Sequence, residues 1–283
     1  MNYRIRIQLF ITSSLNNYKM AKIKLLGLPY DLNSSYLRGA AAAPARIRLM
    51  EREGSANTFA EDGQNILAGE VYDDFGDLNL MDLSPKAAFQ EIKTAVRAII
   101  QNGDKLVSLG GDHSVAFPIL DAYTEQYPGL HILQIDAHGD LYDNFADTPF
   151  SHASPFARIM ETGKVGSLTQ IGNRCLTTHQ REQVKRFGVK IQEMKDFNFD
   201  FLSHLEGPLY VTVDLDALDP AFAPGVSHHE PGGMSTRELF HILQNIDVPI
   251  VGADIVEYNP IRDHQSMTAM VAYKTMKELM AKM

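Results

Sequence analysis

Three stretches of the chain gather carboxylates and imidazoles: Asp112-His113, and, at intervals of two, Asp136-Ala137-His138-Gly139-Asp140 and Asp214-Leu215-Asp216. Each follows an apolar run that reads as a buried strand, over 105–109, 130–135 and 209–213. Residues two apart in extended chain point the same way, so Asp136, His138 and Asp140 can face one cavity, as can Asp214 and Asp216. Converging aspartates repel one another and resist desolvation, so a positive partner must sit among them. Local side chains do not supply it. No Lys or Arg lies between Lys105 and Arg158 or between Lys195 and Arg237, whereas both stretches are rich in Asp. Metal ions are the natural counter-charge. The set His113, Asp136, His138, Asp140, Asp214 and Asp216 carries four negative charges from its four aspartates, which two divalent ions neutralise. Oxygen and nitrogen ligands without thiolate suit Mn2+ better than a structural zinc, with zinc, cobalt and iron as alternatives. Two such ions about 3.5 Å apart can lower the pKa of a shared water and turn it on an electrophilic carbon, which makes hydrolysis the leading reaction type. A single Asp-x-Asp is usually a solvated loop and a single His usually packs. Three clusters, each closing a buried strand, reverse that reading. Asp112 fits a turn or a supporting hydrogen bond as well as it fits ligation.

The elements that must present these residues alternate along the chain. Further strand-like runs fall at 23–28, 168–171 and 248–255. Between them, 84–103 reads as a helix with Ser84 as N-cap, Pro85 at its first position, an apolar face through Phe89, Ile92, Val96, Ile99 and Ile100, and Gly103 as its stop. Ser235 and Glu238 have capping-box spacing, Pro44 opens a helix running to Arg52, and 267–283 is helical by composition. Strands alternating with helices, without repeats or long linkers, predict one α/β domain over 22–283: a three-layer α/β/α sandwich on a mainly parallel, doubly wound sheet. Ligands bind outside the carboxyl ends of strands in such sheets, where the three clusters fall. Gly110 and Gly111 would let the backbone pass close to whatever is bound.

Composition narrows the function classes. An excess of 35 Asp and Glu over 26 Lys and Arg gives a net charge of -9, which disfavours nucleic acid and anionic membrane surfaces as partners. No apolar run approaches the roughly 18 residues that span a bilayer. The single Cys175 cannot form an intrachain disulfide or a thiolate zinc site, and it suits a reducing, cytoplasmic setting. Residues 1–21 read as an N-terminal extension: Arg4, Arg6 and Lys19 without an acidic residue have a transit-like balance but no cleavage signal, and Met20 fits a start placed too far upstream. His228 and His229 are adjacent, so extended backbone would turn them opposite ways, and they read as loop residues near the mouth of a site. Cys175 reads as a buried small residue.

The motifs GGDHS, DAHGD, SHAS, VDLDALDPAFAPG and GADIVEYNP, with NSSYLRGAAAAPARIR before them and MTAMVAYKTMKELM after, resemble the ureohydrolases: arginases, agmatinases and formimidoylglutamases. The likeness runs from about residue 23 to the end. SHASPFARIMETG, REQVKRFGV and PGVSHHEPGG are most similar to plant-type arginases, which are close to bacterial agmatinases. The resemblance implies an arginase-like fold and two Mn2+ per chain. One ion would be held by His113, Asp136, Asp140 and Asp214, the other by Asp136, His138, Asp214 and Asp216. It also implies His152 as proton shuttle to the departing amine, Glu257 as partner of the substrate guanidinium, Asp140 beside them in catalysis, and a homotrimer or homohexamer. Asp254 is expected to face the core or support a ligand.

The implied substrate is a small cationic guanidino compound, first L-arginine and next agmatine, which a deep acidic pocket would steer in. The aspartate that helps hold the α-amino group in animal arginases has no counterpart here, where Cys175, Leu176 and Thr177 stand instead. The acidic loops with Asp143, Asp147 and Glu230 are expected to hold the amine of either compound, Asp143 and Glu230 first. Two rivals remain at this level. A metal-dependent amide deacetylase would need one zinc and fewer ligands, and an inactive binding paralogue would have been free to lose the ligand set.

Overall fold

A computed structural model describes residues 23–283; the extension expected over 1–21 lies outside them. Eight strands form one sheet: β1 (Ile23–Gly27), β2 (Tyr72–Asp77), β3 (Lys105–Leu109), β4 (Leu130–Ile135), β5 (Val165–Asn173), β6 (Lys190–Glu193), β7 (Leu209–Asp214) and β8 (Ile250–Val256). Their order is β2-β1-β3-β8-β7-β4-β5-β6, and all neighbours run parallel. The helices between them are α1 (Ala43–Arg52), α2 (Pro85–Ile100), α3 (Ala116–Gln126), α4 (Pro155–Glu161), α5 (Thr178–Phe187), α6 (Thr236–Gln244) and α7 (Met267–Lys282).

Two cores explain why the strands read as continuous apolar runs. Val107, Leu133, Ile135, Val211 and Val213 face one core with residues of α1, α6 and α7, whereas Leu106, Ile132 and Tyr210 face another with α2 and α3. Both faces are covered, giving the expected three layers. The clearest cap is on α6, where Ser235 and Glu238 complete a capping box. Ser84 stands at the N-cap of α2 as expected, but its side chain makes no capping bond. The edge strands β2 and β6 went unforeseen: β2 reads YDDFGD and is mostly exposed, so neither apolar alternation nor an apolar run marks it. No helix among the described residues is long and apolar enough to cross a membrane.

The register decides where the chemistry falls. Leu109, Ile255, Val213 and Ile135 lie level across the adjacent strands β3, β8, β7 and β4. Each is the last or next-to-last apolar residue before a candidate site residue, so four loops open at one height on one sheet edge.

An ion-pair cluster ties α6 and α7 to the loop before β2. Glu61 accepts from Arg237 at 2.7 Å and Gln244 at 3.0 Å, with Lys274 at 3.6 Å. The Arg237 hydrogen bond, then that of Gln244, outweigh burial and hold its pKa at about 2. A depressed folded pKa contributes stability that is complete above the unfolded value of about 4.3 and disappears as pH falls towards 2. Because the side chain is 36% exposed, solvent screening reduces the contribution to roughly 0.5–1 kcal/mol. Glu61→Gln is expected to lower Tm slightly at pH 6, with the gap to the parent closing below about pH 4. A gap that stays constant from pH 7 to 3 would contradict this assignment.

Candidate metal centre

His113 stands in a short turn after β3, completely buried. Its Nδ1 lies 3.1 Å from Asp136, 3.1 Å from Asp140 and 3.2 Å from Asp214 carboxylate oxygens, yet finds no hydrogen-bond partner among the described residues. The other ring nitrogen explains this. Nε2 lies 2.9 Å from Thr212 Oγ1, and that hydroxyl donates to Asp254 at 2.6 Å, with Tyr210 donating to the same carboxylate. Its proton committed, Thr212 can only accept, so Nε2 carries a hydrogen and Nδ1 is the nitrogen at which a metal ion can take the place of a proton. A ring nitrogen facing three carboxylate oxygens, with room between them for a proton or a metal ion, is a cation seat.

A second seat adjoins the first. Ligand atoms of Asp136, His138 and Asp216 lie within 4.8 Å of one another, as do those of His113, Asp136 and Asp140. Nδ1 of His138 is 3.0 Å from Asp216 and 3.5 Å from Asp136. Asp136 belongs to both groups. The structure thus brings together all six sequence-derived candidates in a cluster able to bind metal.

Local hydrogen bonds hold these carboxylates in place. The His138 N–H donates to Asp136 at 2.6 Å and the Asp216 N–H to Asp214 at 2.8 Å, so each motif folds back on its own aspartate. Gln134 donates to the other Asp136 oxygen at 2.6 Å and is itself oriented by Gln170. The guanidinium of Arg174 donates to the carbonyls of Asp216, Ala217 and Glu230, fastening two loops to the end of β5. Asp140 and Glu257 adopt left-handed backbone, φ 48° and 61°, a strained state for non-glycine residues that clusters at functional sites.

Electrostatics report the crowding. Burial, then the Asp136 charge, raise the Asp140 pKa to about 6, and burial with the charges of Asp216 and Asp136 raises that of Asp214 well above the usual range. Burial opposes a charged His113, but Asp136, Asp140 and Asp214 outweigh it. Carboxylates that resist ionising together are what a bound cation would relieve.

Glu257 and His152 form the wall beside the cluster. Burial works against the Glu257 anion, but the charge of His152 and the His113 N–H hold its pKa below the carboxylate norm. Its Oε1 accepts from the His113 N–H at 2.9 Å and from His152 Nδ1 at 2.8 Å, while Oε2 has no partner among the described residues. Nε2 of His152 lies 2.8 Å from Ser35 Oγ and 3.2 Å from the Ser35 backbone nitrogen. Burial opposes a charged His152, but Glu257 with Asp112 and Asp140 lifts its pKa to about 9. Ser35 Oγ, 2.8 Å from Nε2, can accept a proton carried there, so the charged ring that the raised pKa favours is accommodated in place.

A cavity of about 150 Å³ is lined by His138, Asp140, His152, Asp214, Asp216 and Glu257, together with Ser35, Tyr142, Phe145, Cys175, Gln180 and His228. Several expectations need correction here. Asp143 does not line it: Gln183 at 2.6 Å and Arg186 at 3.1 Å hold its carboxylate elsewhere. Glu230 does not line it either, although a carboxylate oxygen comes within 4.8 Å of His138 and Cys175 ligand atoms. Cys175 is part-exposed on the wall, not buried. His228 is on the wall, whereas His229 bonds the Pro224 carbonyl. Gly110 and Gly111 make room for the protein itself, because a Cβ would lie 2.6 Å from Val256 and 1.9 Å from the Tyr30 carbonyl. Asp112 caps the turn at Ser114 and accepts the Asn33 N–H, while burial, then the Glu257 charge, raise its pKa to about 7. Thr212, Gln134 and Arg174 were missed. Thr212 and Gln134 left a signal, since each stands in a strand two residues before a candidate aspartate, Asp214 and Asp136.

The family model described as Arginase family matches residues 21–282. The chain belongs to the arginase family. Arginase 1, mitochondrial, of Arabidopsis thaliana is 44% identical over 93% of this chain and 81% of its own length. The agmatinase of Bacillus anthracis is 31% identical over 93% and 92%. Among solved structures, the arginase from Medicago truncatula superposes with a TM-score of 0.85 at 41% identity, covering 93% of this chain and 87% of that one. This arginase-family chain is thus a hydrolase of a guanidino carbon–nitrogen bond, in a family of binuclear metal enzymes. The cytoplasmic expectation is overturned, because the Arabidopsis relative is named as a mitochondrial protein. A lone cysteine and the lack of an apolar span report on redox state and bilayer insertion, and organelle interiors share both conditions with the cytosol.

Proposed function

We propose that this chain hydrolyses L-arginine to L-ornithine and urea at two Mn2+ ions, one held by His113, Asp136, Asp140 and Asp214 and the other by Asp136, His138, Asp214 and Asp216. The observation that carries the reading is His113 Nδ1, without a hydrogen-bond partner among the described residues yet beside three carboxylates, its Nε2 engaged from behind by Thr212. Bound there, the ions supply Lewis-acid chemistry, acidifying a water and offsetting negative charge as it develops. Oxygen and nitrogen ligands of this kind suit Mn2+.

The chain's own residues do the rest. The free Oε2 of Glu257 accepts an N–H of the planar guanidinium in a charge-assisted bond, and the two donors on Oε1 stop the carboxylate swinging. His152 Nε2 is the atom that carries a proton to the departing nitrogen. Its Nδ1–H stays on Glu257 throughout, which keeps the ring oriented. Asp140 shares the wall with both and completes the catalytic group.

The greater identity to the Arabidopsis arginase than to the bacterial agmatinase supports arginine over agmatine. Urea release from arginine, agmatine, guanidinobutyrate and guanidine with added Mn2+ tests the order, and no urea from arginine would end the reading. Two ions per chain by elemental analysis would separate it from a one-zinc amide deacetylase. A homotrimer or homohexamer accompanies this reading, checked by light scattering.

Thr212→Val keeps side-chain shape but removes the acceptor behind His113. Mn2+ affinity is expected to fall roughly 10–100-fold, as for other partners that orient a metal-binding histidine. Unchanged affinity in a calorimetric titration would show that the tautomer is fixed by other means.

A further inference from the structure

Gln180 stands in the first turn of α5, nearly buried, with its side chain on the cavity wall. It completes a capping box. Its Oε1 accepts the Thr177 N–H at 3.2 Å, and its own N–H donates to Thr177 Oγ1 at 3.4 Å. Because the Thr177 N–H requires an acceptor, the amide cannot be flipped, and Nε2 is the end left over. No hydrogen bond among the described residues involves it. Glutamate caps in the same way at this position, so capping alone does not call for an amide. The amide differs in offering two N–H donors where a carboxylate would bring a negative charge.

Asp140, Asp214, Asp216 and Glu257 line part of this cavity, and Gln180 adds to it an uncharged donor. Ser35, Tyr142, Phe145 and Cys175 on the same wall carry no formal charge as neutral side chains, and Asp143 is held away by Arg186. The first turn of a helix also attracts negative groups through its macrodipole. We propose that Gln180 determines specificity: its Nε2 donates to the substrate's α-carboxylate, so the cavity prefers guanidino compounds bearing a carboxylate over those ending only in an amine. This rests on the ureohydrolase reading above.

The test is Gln180→Glu, which preserves the capping box and so the fold, but replaces the donor with charge. The ratio of kcat/KM for L-arginine to that for agmatine is expected to fall at least about tenfold, the loss of one charge-assisted hydrogen bond. Gln180→Met, which lacks both donor and charge, should raise KM for arginine more than it lowers kcat. Calorimetry gives an arm that needs no turnover: L-ornithine, which keeps the carboxylate, should bind Gln180→Glu more weakly than the parent, by a larger factor than putrescine does. An unchanged arginine-to-agmatine ratio, or equal weakening of ornithine and putrescine, would overturn the assignment. If the parent releases no urea from arginine, the reaction reading fails and the binding arm alone decides the role of Gln180.

Discussion

Asp214→Ala is expected to lose bound Mn2+ and urea release together. Asp214 ends β7, its Oδ2 3.2 Å from His113 Nδ1 and its Oδ1 accepting the Asp216 N–H at 2.8 Å. With Asp136 it is one of the two residues proposed to serve both ions, so its removal would weaken both seats and loosen the turn that presents Asp216. Lewis-acid stabilisation by such ions is worth several kcal/mol, and at about 1.4 kcal/mol per factor of ten the turnover loss is roughly 10³-fold or more. Asp214→Asn separates charge from shape, since its side-chain oxygen can still accept the Asp216 N–H. The metal-free Asn variant should unfold at no lower temperature than the metal-free parent, because one of several crowded buried charges is gone. Elemental analysis after dialysis and a urea assay give the readout. Activity retained in a metal-free Asp214 variant would contradict the assignment.

His152→Ala should behave in the opposite way, keeping its metal and losing turnover by roughly 10²–10⁴-fold, the usual contribution of a positioned general acid. The ring touches Glu257 and Ser35 and is not among the proposed ligands. Glu257 still accepts the His113 N–H in the variant, so the guanidinium partner remains in place. KM for arginine should therefore change far less than kcat. Imidazole added to the assay should restore part of the rate by occupying the vacated space. Loss of metal along with turnover would make His152 a structural support, and full turnover would remove it from the reaction.

The six clustered residues were legible because each follows an apolar strand, and strand ends in a parallel sheet are level. The alternation in Asp136-Ala137-His138 and Asp214-Leu215-Asp216 then gives direction. Strands β3 and β4 fall where the apolar runs end, because both faces of the central sheet are buried and leave an unbroken signal. At the edges that signal fails, and β2, with Asp73, Asp74 and Asp77 in six residues, reads as a loop. Supporting residues were hidden for a different reason. Thr212 reaches Asp254 across 42 residues and Arg174 reaches Glu230 across 56, so no local spacing announces either contact.

Asp143 and Glu230 show the limit from the other side. Both are acidic residues in loops near the motifs, which is all that composition can report, yet Arg186, 43 residues on, holds Asp143 elsewhere. The sequence by itself determined the sheet's parallel character, its chemistry-bearing edge and the identity of the candidate ligands, because burial pattern and two-residue periodicity are local properties of the chain. Only the tertiary structure decided which nitrogen of His113 is free, which oxygen of Glu257 is unpaired and which uncharged groups complete the cavity wall. Those depend on hydrogen bonds between segments far apart in the chain, and a donor's single proton can be assigned only once every acceptor around it is in place.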